Sequence, residues 1–240
     1  MNKIKIEVLF PEVCNLCGDL QNIEYLRRSL EDEAVVVETS LKDAPYFASN
    51  DDISMIYIGT MTERAQELVL KALTPYKARI KELIDKGVCF LCTGNSFEIF
   101  GEYIECDDGS RIECMGLLKA HAKRRMLDRY NSLYVGKFED IDIVGFKSLF
   151  TETFSEEKPL FETVKGYGIN KTAKEEGIRV NNFLATSVIG PLLIFNPLFT
   201  KKLMKLLGSE KESVAYEEAA MDSYNTRLTE FTDPARGISG

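Results

Sequence analysis

The sequence predicts an α/β fold with a mostly parallel central sheet flanked by helices and additional antiparallel strands in its C-terminal half. Three observations predict it. Short apolar, β-branched runs alternate with stretches whose apolar residues recur at helical spacing through the first half of the chain. Several of those runs are apolar at consecutive positions, as strands covered on both faces must be. From about Glu102 the texture changes to short segments punctuated by turn residues such as Asp107-Asp108-Gly109-Ser110, the pattern of antiparallel hairpins.

Taken in order, Lys3–Phe10 alternates polar and apolar and reads as a strand. Leu20, Ile23, Leu26 and Leu30 then mark a helix, and Ala34–Thr39 and Ile53–Gly59 mark two further strands. Leu68, Leu70, Leu73, Ile80, Leu83 and Ile84 indicate two helices divided near Thr74-Pro75. Gly87–Cys92 is a fully apolar strand, ending in Thr93-Gly94-Asn95-Ser96 and continuing as a helix through Phe97–Phe100. Ser132–Phe138, Ile141–Phe146 and Arg179–Thr186 read as short antiparallel strands, and a last helix runs from Pro197, a permitted first-turn position, to about Leu207. The polar tail after Ala215 is expected to be partly mobile.

The chain has 240 residues, 45% hydrophobic and 28% charged, enough for one large core. Its 38 Asp+Glu against 30 Lys+Arg leave a net charge of −8, which argues against a nucleic-acid backbone or an anionic membrane surface as partner. No uncharged apolar run reaches membrane-spanning length, and the first strand is no signal-peptide core. A cytoplasmic location follows as the expectation, with the six cysteines as thiols. There is a single histidine, His121, so any Cys–His or Ser–His pair must use it.

The informative stretch is Val88–Gly101: an apolar strand, a tight turn of small residues, then a helix. That is the geometry of a nucleophile elbow, which holds the apex side chain over the sheet edge. On this stretch the chain resembles the class I glutamine amidotransferases of the cobyric acid synthase type, and most of all the glutaminase subunits of lipid II isoglutaminyl synthases. The family's elbow, roughly Cys-Gly-Gly-Tyr-Gln-Leu-Leu-Gly, is matched by Gly94-Asn95-Ser96-Phe97-Glu98-Ile99-Phe100-Gly101. Further matches follow in the same order. Gly18-Asp19-Leu20-Gln21-Asn22 resembles Gly-Asp-x-x-Asn, Ile58–Gln66 occupies the Gly-rich loop segment, and Val144-Gly145-Phe146 and Gly166–Lys171 match later motifs. Asn181–Leu193 resembles the run that ends Thr-Tyr-Leu-His-Gly-Pro-Leu-Leu. The resemblance covers about residues 1–208 and implies one flavodoxin-like amidotransferase domain, with 209–240 as a C-terminal extension.

Glutamine hydrolysis in that family needs a thiolate nucleophile, an imidazole base and backbone donors for the oxyanion. The resemblance puts the family's Cys on Gly94 and its His on Ile189, neither of which can do that chemistry. The Gly-rich loop has become Gly59-Thr60-Met61-Thr62, and the elbow Gln has become Glu98. No catalytic residues are therefore expected, and the vestigial pocket is assigned to Asp19, Gly59, Thr60, Thr93, Gly94, Asn95, Ser96, Glu98, Arg129 and Ile189.

Cys14-x-x-Cys17 and Cys89-x-x-Cys92 have zinc-like spacing, but a three-residue separation on a strand puts Cys89 and Cys92 on opposite faces. Unrelated thiols, with Cys92 buried in the sheet packing, are the ordinary reading, and a mixed site of Cys14, Cys17 and Cys92 is the alternative; no metal or cofactor is expected. Lys119–Arg129 is the one basic cluster, ordinarily a solvated or salt-bridged segment and alternatively a docking or anion-binding patch. His121 within it is expected at the surface. The first functional reading is a glutaminase-like subunit without activity that positions a Mur-ligase-like synthetase. The alternatives are altered chemistry in the same cleft, using Glu98, Asp19, Asn95, Ser96, Thr93 or Cys92, and a module that captures glutamine or another small amino acid.

Overall fold

The computed structural model describes residues 3–235. Its centre is a six-stranded sheet built from β1 (Ile4–Leu9), β2 (Ala34–Thr39), β3 (Met55–Ile58), β4 (Cys89–Thr93), β13 (Ile178–Val180) and β14 (Phe183–Thr186), in the order β13-β14-β4-β3-β1-β2. Five neighbouring strands run parallel, with Ile6 opposite Met55, Met55 opposite Cys89 and Phe183 opposite Phe90; only β13 is antiparallel. The expected strand over Arg179–Thr186 is in fact two. Asn181, at φ +52, turns the chain between β13 and β14, and asparagine tolerates that left-handed backbone better than most residues.

Period-two alternation sends side chains to two cores. Val8, Met55, Tyr57, Cys89 and Leu91 face α1 (Leu20–Leu30), α4 (Leu192–Phe195) and α5 (Pro197–Leu206). Ile56, Ile58, Phe90 and Cys92 face α2 (Glu63–Leu73) and α3 (Lys77–Asp85). Thr62 starts α2 by accepting the Ala65 N–H at 3.2 Å. A short 3-10 turn over Thr74–Tyr76, with Pro75 in its first turn, separates α2 from α3 where the sequence divided them.

The second half adds two smaller sheets. One joins β5 (Tyr103–Glu105), β6 (Arg111–Glu113), β7 (Ala120–Arg124) and β10 (Thr151–Ser155). The other joins β8 (Tyr130–Phe138), β9 (Ile141–Leu149), β11 (Phe161–Lys165) and β12 (Glu175–Glu176). β8 and β9 form a long hairpin from Tyr130 opposite Leu149 to Phe138 opposite Ile141. His121 is half-buried rather than a free surface group, stacked between Tyr103 and Phe154 with ring centroids 4.9 and 5.2 Å away. In the extension, α6 (Glu217–Thr232) buries Tyr224 and Phe231 against Val135 and Val144 of the β8–β9 hairpin. Tyr224 Oη also donates to the Asp142 carbonyl at 2.8 Å. Of the tail expected to be partly mobile, residues 236–240 lie outside the described residues. Among the described residues no helix is long and apolar enough to cross a membrane.

Candidate functional site

The carboxyl ends of β3 and β4 converge, as ligand-binding loops of parallel sheets do, on a cleft of about 200 Å³. Its walls come from separate elements. Thr60 and Met61 follow β3, Gly94 and Asn95 follow β4, and Leu16 and Cys17 follow β1. Arg129 precedes β8, while Leu149–Thr151 and Ile189 close the far side.

Gly94 sits at φ +64, the left-handed apex of an elbow. The space a side chain would enter is already filled: an ideal Cβ at Gly94 would overlap Thr60 Oγ1 and lie 2.6 Å from Thr60 Cγ2 and 2.7 Å from Thr60 Cβ. Real Cβ atoms do not approach other heavy atoms so closely. Beyond the apex the expected helix is a five-residue 3-10 turn, Ser96–Phe100, because the chain turns back at Gly101 into β5. Ser96 Oγ donates to the carbonyls of Ile58 and Thr93, locking the turn to both strand ends.

The loop after β3 has its backbone donors committed. The Thr60 N–H donates to Asp19 Oδ2 at 2.7 Å, and the Met61 N–H donates to Asn95 Oδ1 at 3.1 Å. Two N–H groups of this loop thus face side-chain oxygens within the chain. Gly59 must stay a glycine, because a Cβ there would overlap the Cys14 carbonyl oxygen.

Asp19 anchors a buried network beneath the cleft. Its carboxylate accepts from Thr60 Oγ1, from Thr93 Oγ1 at 2.7 Å and from Asn22 Nδ2 at 3.2 Å. Tyr57 Oη donates to the Asp19 carbonyl at 2.9 Å, and Asn22 Oδ1 accepts the Leu193 N–H at 2.8 Å. Burial pushes the Asp19 carboxyl above its ordinary pKa, against the pull of its hydrogen bonds. Asn22 was legible in the Gly-Asp-x-x-Asn motif. Tyr57 was not, since an aromatic in an apolar strand looks like core.

Glu98 lies behind the elbow rather than in the cleft. It accepts from Thr151 Oγ1 at 2.5 Å and from Gln66 Nε2 at 2.9 Å, while Gln66 Oε1 accepts from Arg124 at 2.8 Å. Burial raises its carboxyl to about 7. Ile189 is fixed by backbone: it exchanges N–H···O bonds of 2.9 and 3.0 Å with Phe146. Arg129 donates to Ser148 Oγ at 2.6 and 3.0 Å and lies over the Phe150 ring at 5.1 Å.

The ten positions assigned to the vestigial pocket therefore divide. Thr60, Gly94, Asn95, Arg129 and Ile189 line the cleft. Asp19 and Thr93 support it from below, and Gly59, Ser96 and Glu98 are buried behind it. Sequence reasoning passed over Leu16, Met61, Ser148 and Phe150 as cleft residues; only adjacency in space brings them there.

The cysteines do not gather. Cys89 and Cys92 belong to opposite faces of the sheet, and burial pushes both thiols up, Cys89 to about 12. Cys14 is buried beside Met61, whereas Cys17 is exposed at the cleft. Among the described residues no group of three or more His, Cys, Asp or Glu side chains is arranged to hold a metal. Much of the basic cluster is paired within the chain: Arg124 with Glu67, Arg125 with Glu105, and beside them Lys171 with Asp128.

A second buried ionic site holds the wall behind Ile189. Lys147 and Glu176, both fully buried, form an ion pair, and Lys147 also donates to the Gly168 carbonyl. Glu176 further accepts from Thr186 Oγ1, the Ser187 N–H and Ser187 Oγ at 2.8 to 2.9 Å. Burial lowers the Lys147 pKa, opposed by the attraction of Glu176.

Known proteins agree with this architecture. The model of the CobB/CobQ-like glutamine amidotransferase domain matches residues 5–196. Two curated relatives are the GatD subunits of the glutamine-hydrolyzing lipid II isoglutaminyl synthases of Staphylococcus aureus and Streptococcus pneumoniae. The first is 25% identical over 93% of this chain and 91% of the relative. The second is 27% identical over 90% and 86%. Among solved structures, a glutamine amidotransferase from Thermotoga maritima superposes with a TM-score of 0.53 at 13% identity, covering 96% of this chain and 92% of that one. Another glutamine amidotransferase structure gives 0.54 at 13% identity, over 84% and 98%. With the elbow, the loop after β3 and the strand order in place, the chain belongs to the CobB/CobQ-like glutamine amidotransferase family.

Proposed function

We propose that this chain is a glutaminase-like subunit without glutaminase activity, kept to bind and position a synthetase partner of the Mur-ligase type. The observation that carries the reading is Thr60, whose side chain stands in the space a nucleophile on Gly94 would need. Ile189 offers no proton acceptor at the family's base position, and the Thr60 and Met61 N–H groups are engaged by Asp19 and Asn95. The relatives are subunits of glutamine-hydrolyzing lipid II isoglutaminyl synthases, which makes amidation of a cell-wall precursor the setting this reading favours. The test is ammonia release from glutamine, by the chain alone and mixed with the Mur-ligase-like synthetase of the same genome. No release is expected in either case; sustained release that survives repurification would overturn the reading.

One observation favours a second reading, capture of a small amino acid. Arg129 has no carboxylate partner among the described residues, and it borders a cleft that also presents Asn95 and Glu63. Calorimetry with glutamine and glutamate decides it, since heat at millimolar ligand would support capture and a flat titration would end it. Altered chemistry is less favoured, because Glu98, Asp19, Thr93, Ser96 and Cys92 are buried outside the cleft.

A further inference from the structure

Away from the cleft, and sharing no lining residue with it, a groove of about 310 Å³ runs between α5 and the tip of the β8–β9 hairpin. Its floor is apolar and well packed. Phe138, Leu184, Phe199 and Leu203 are buried there, with the Phe138 and Phe199 rings edge to face at 5.0 Å. Leu206 continues this surface outward at 40% exposure.

The rim carries Arg179, Lys202 and Lys205 against a single carboxylate, Glu139. Glu139 is shared, 3.2 Å from Lys202 and 3.8 Å from Arg179. Two positive charges therefore remain in excess around an apolar trough, on a chain whose net charge is −8. Like charges gathered at one rim repel one another, and an anionic, apolar-faced occupant would offset that repulsion while covering the apolar floor.

We propose that this groove docks an acidic amphipathic helix of the partner subunit. A cavity of about 150 Å³ admits a benzene ring, so this one accepts about two large apolar side chains from successive turns of a helix. Carboxylates flanking those anchors would meet Lys202, Lys205 and Arg179. Aromatic floors of this rigidity suit buried anchor residues, and rim charges set orientation and association rate. The inference rests on the partner-binding reading above but not on the loss of glutaminase activity.

The test is a displayed random dodecapeptide library selected against the full chain. The enriched peptides are expected to carry large apolar residues three or four positions apart beside Asp or Glu. A synthetic copy of the best peptide should bind wild type and lose about tenfold or more in affinity to K202E/K205E, with binding also weakened by salt. Both lysines are on the solvent side of α5, and L206D gives a second variant that challenges the apolar half of the site. No enrichment, enrichment without this pattern, or affinity unchanged in both variants would overturn the proposal. Binding of dodecanoate with the same charge dependence, in the absence of any selected peptide, would assign the groove to a free amphipathic anion and overturn it equally.

Discussion

Thr60 and Gly94 occupy one another's space: a Cβ on Gly94 would overlap the Thr60 hydroxyl oxygen and lie 2.6 Å from the Thr60 methyl. Gly94→Cys therefore combines an overlap with a left-handed backbone, φ +64, and should destabilise the fold by about 2–4 kcal/mol in urea denaturation. Thr60→Gly in the same chain should recover part of that loss, as a double-mutant cycle would register. Equal, additive losses would show that the two residues do not collide.

On the reading proposed above, placing Cys at 94 and His at 189 should not confer glutaminase activity. In Gly94→Cys/Ile189→His the introduced thiol still meets Thr60, and the loop N–H groups still bind Asp19 and Asn95. Ammonia release is expected to stay at background. A gain in turnover from these two substitutions alone would mean that the loop rearranges freely.

Glu98 gives stability a pH dependence of a definite sign. Its folded pKa is raised to about 7 from an ordinary 4.5, so the folded state holds a proton in that window which the unfolded state has released. Its contribution is full below about pH 4.5 and is lost as pH rises to about 7, by up to roughly 3 kcal/mol. Glu98→Gln mimics the protonated carboxyl and should flatten that fall. Urea midpoints measured from pH 5 to 8 in both proteins check it.

Lys147→Met should cost about 3–5 kcal/mol, because it leaves the fully buried Glu176 without its cation. Pairing it with Glu176→Gln should recover much of the loss, since the amide oxygen can still accept from the Thr186 and Ser187 hydroxyls and the Ser187 N–H. A thermal-melt comparison of the single and double variants decides this.

Phe231→Ala in α6 should destabilise by about 3 kcal/mol and loosen the hairpin wall, since Phe231 packs 5.3 Å from the Phe146 ring. Dye binding to newly exposed apolar surface is the accompanying readout.

Local pattern carried much of the fold. Leu20–Leu30 and Ala34–Thr39 have the bounds their periodicities mark, because each pattern directly records which residues are buried. Helix α6 was not legible, since it buries only Tyr224 and Phe231, seven residues apart in a mostly polar run. At the cleft, the motifs around Gly94 and Ile189 raise the expectation that neither position carries a catalytic side chain. The part played by Thr60 could not. Whether one loop's side chain fills the space above another loop's glycine is a matter of packing across the sheet edge, and neither spacing nor residue type records it. The Lys147–Glu176 pair was hidden for the same reason: Lys147 sits in a strand whose pattern gives no sign that a partner waits 29 residues away.

The engagement of the loop after β3 also bears on how such a protein could change over time. A nucleophile arising at Gly94 would first meet the Thr60 collision, and would still find Asp19 and Asn95 holding the loop's donors. Each first step is penalised before any turnover can reward it. Under the reading proposed above, giving this cleft a working nucleophile takes several coordinated substitutions rather than one. What resists the first of them is one threonine side chain, tied in place by its own hydroxyl on Asp19.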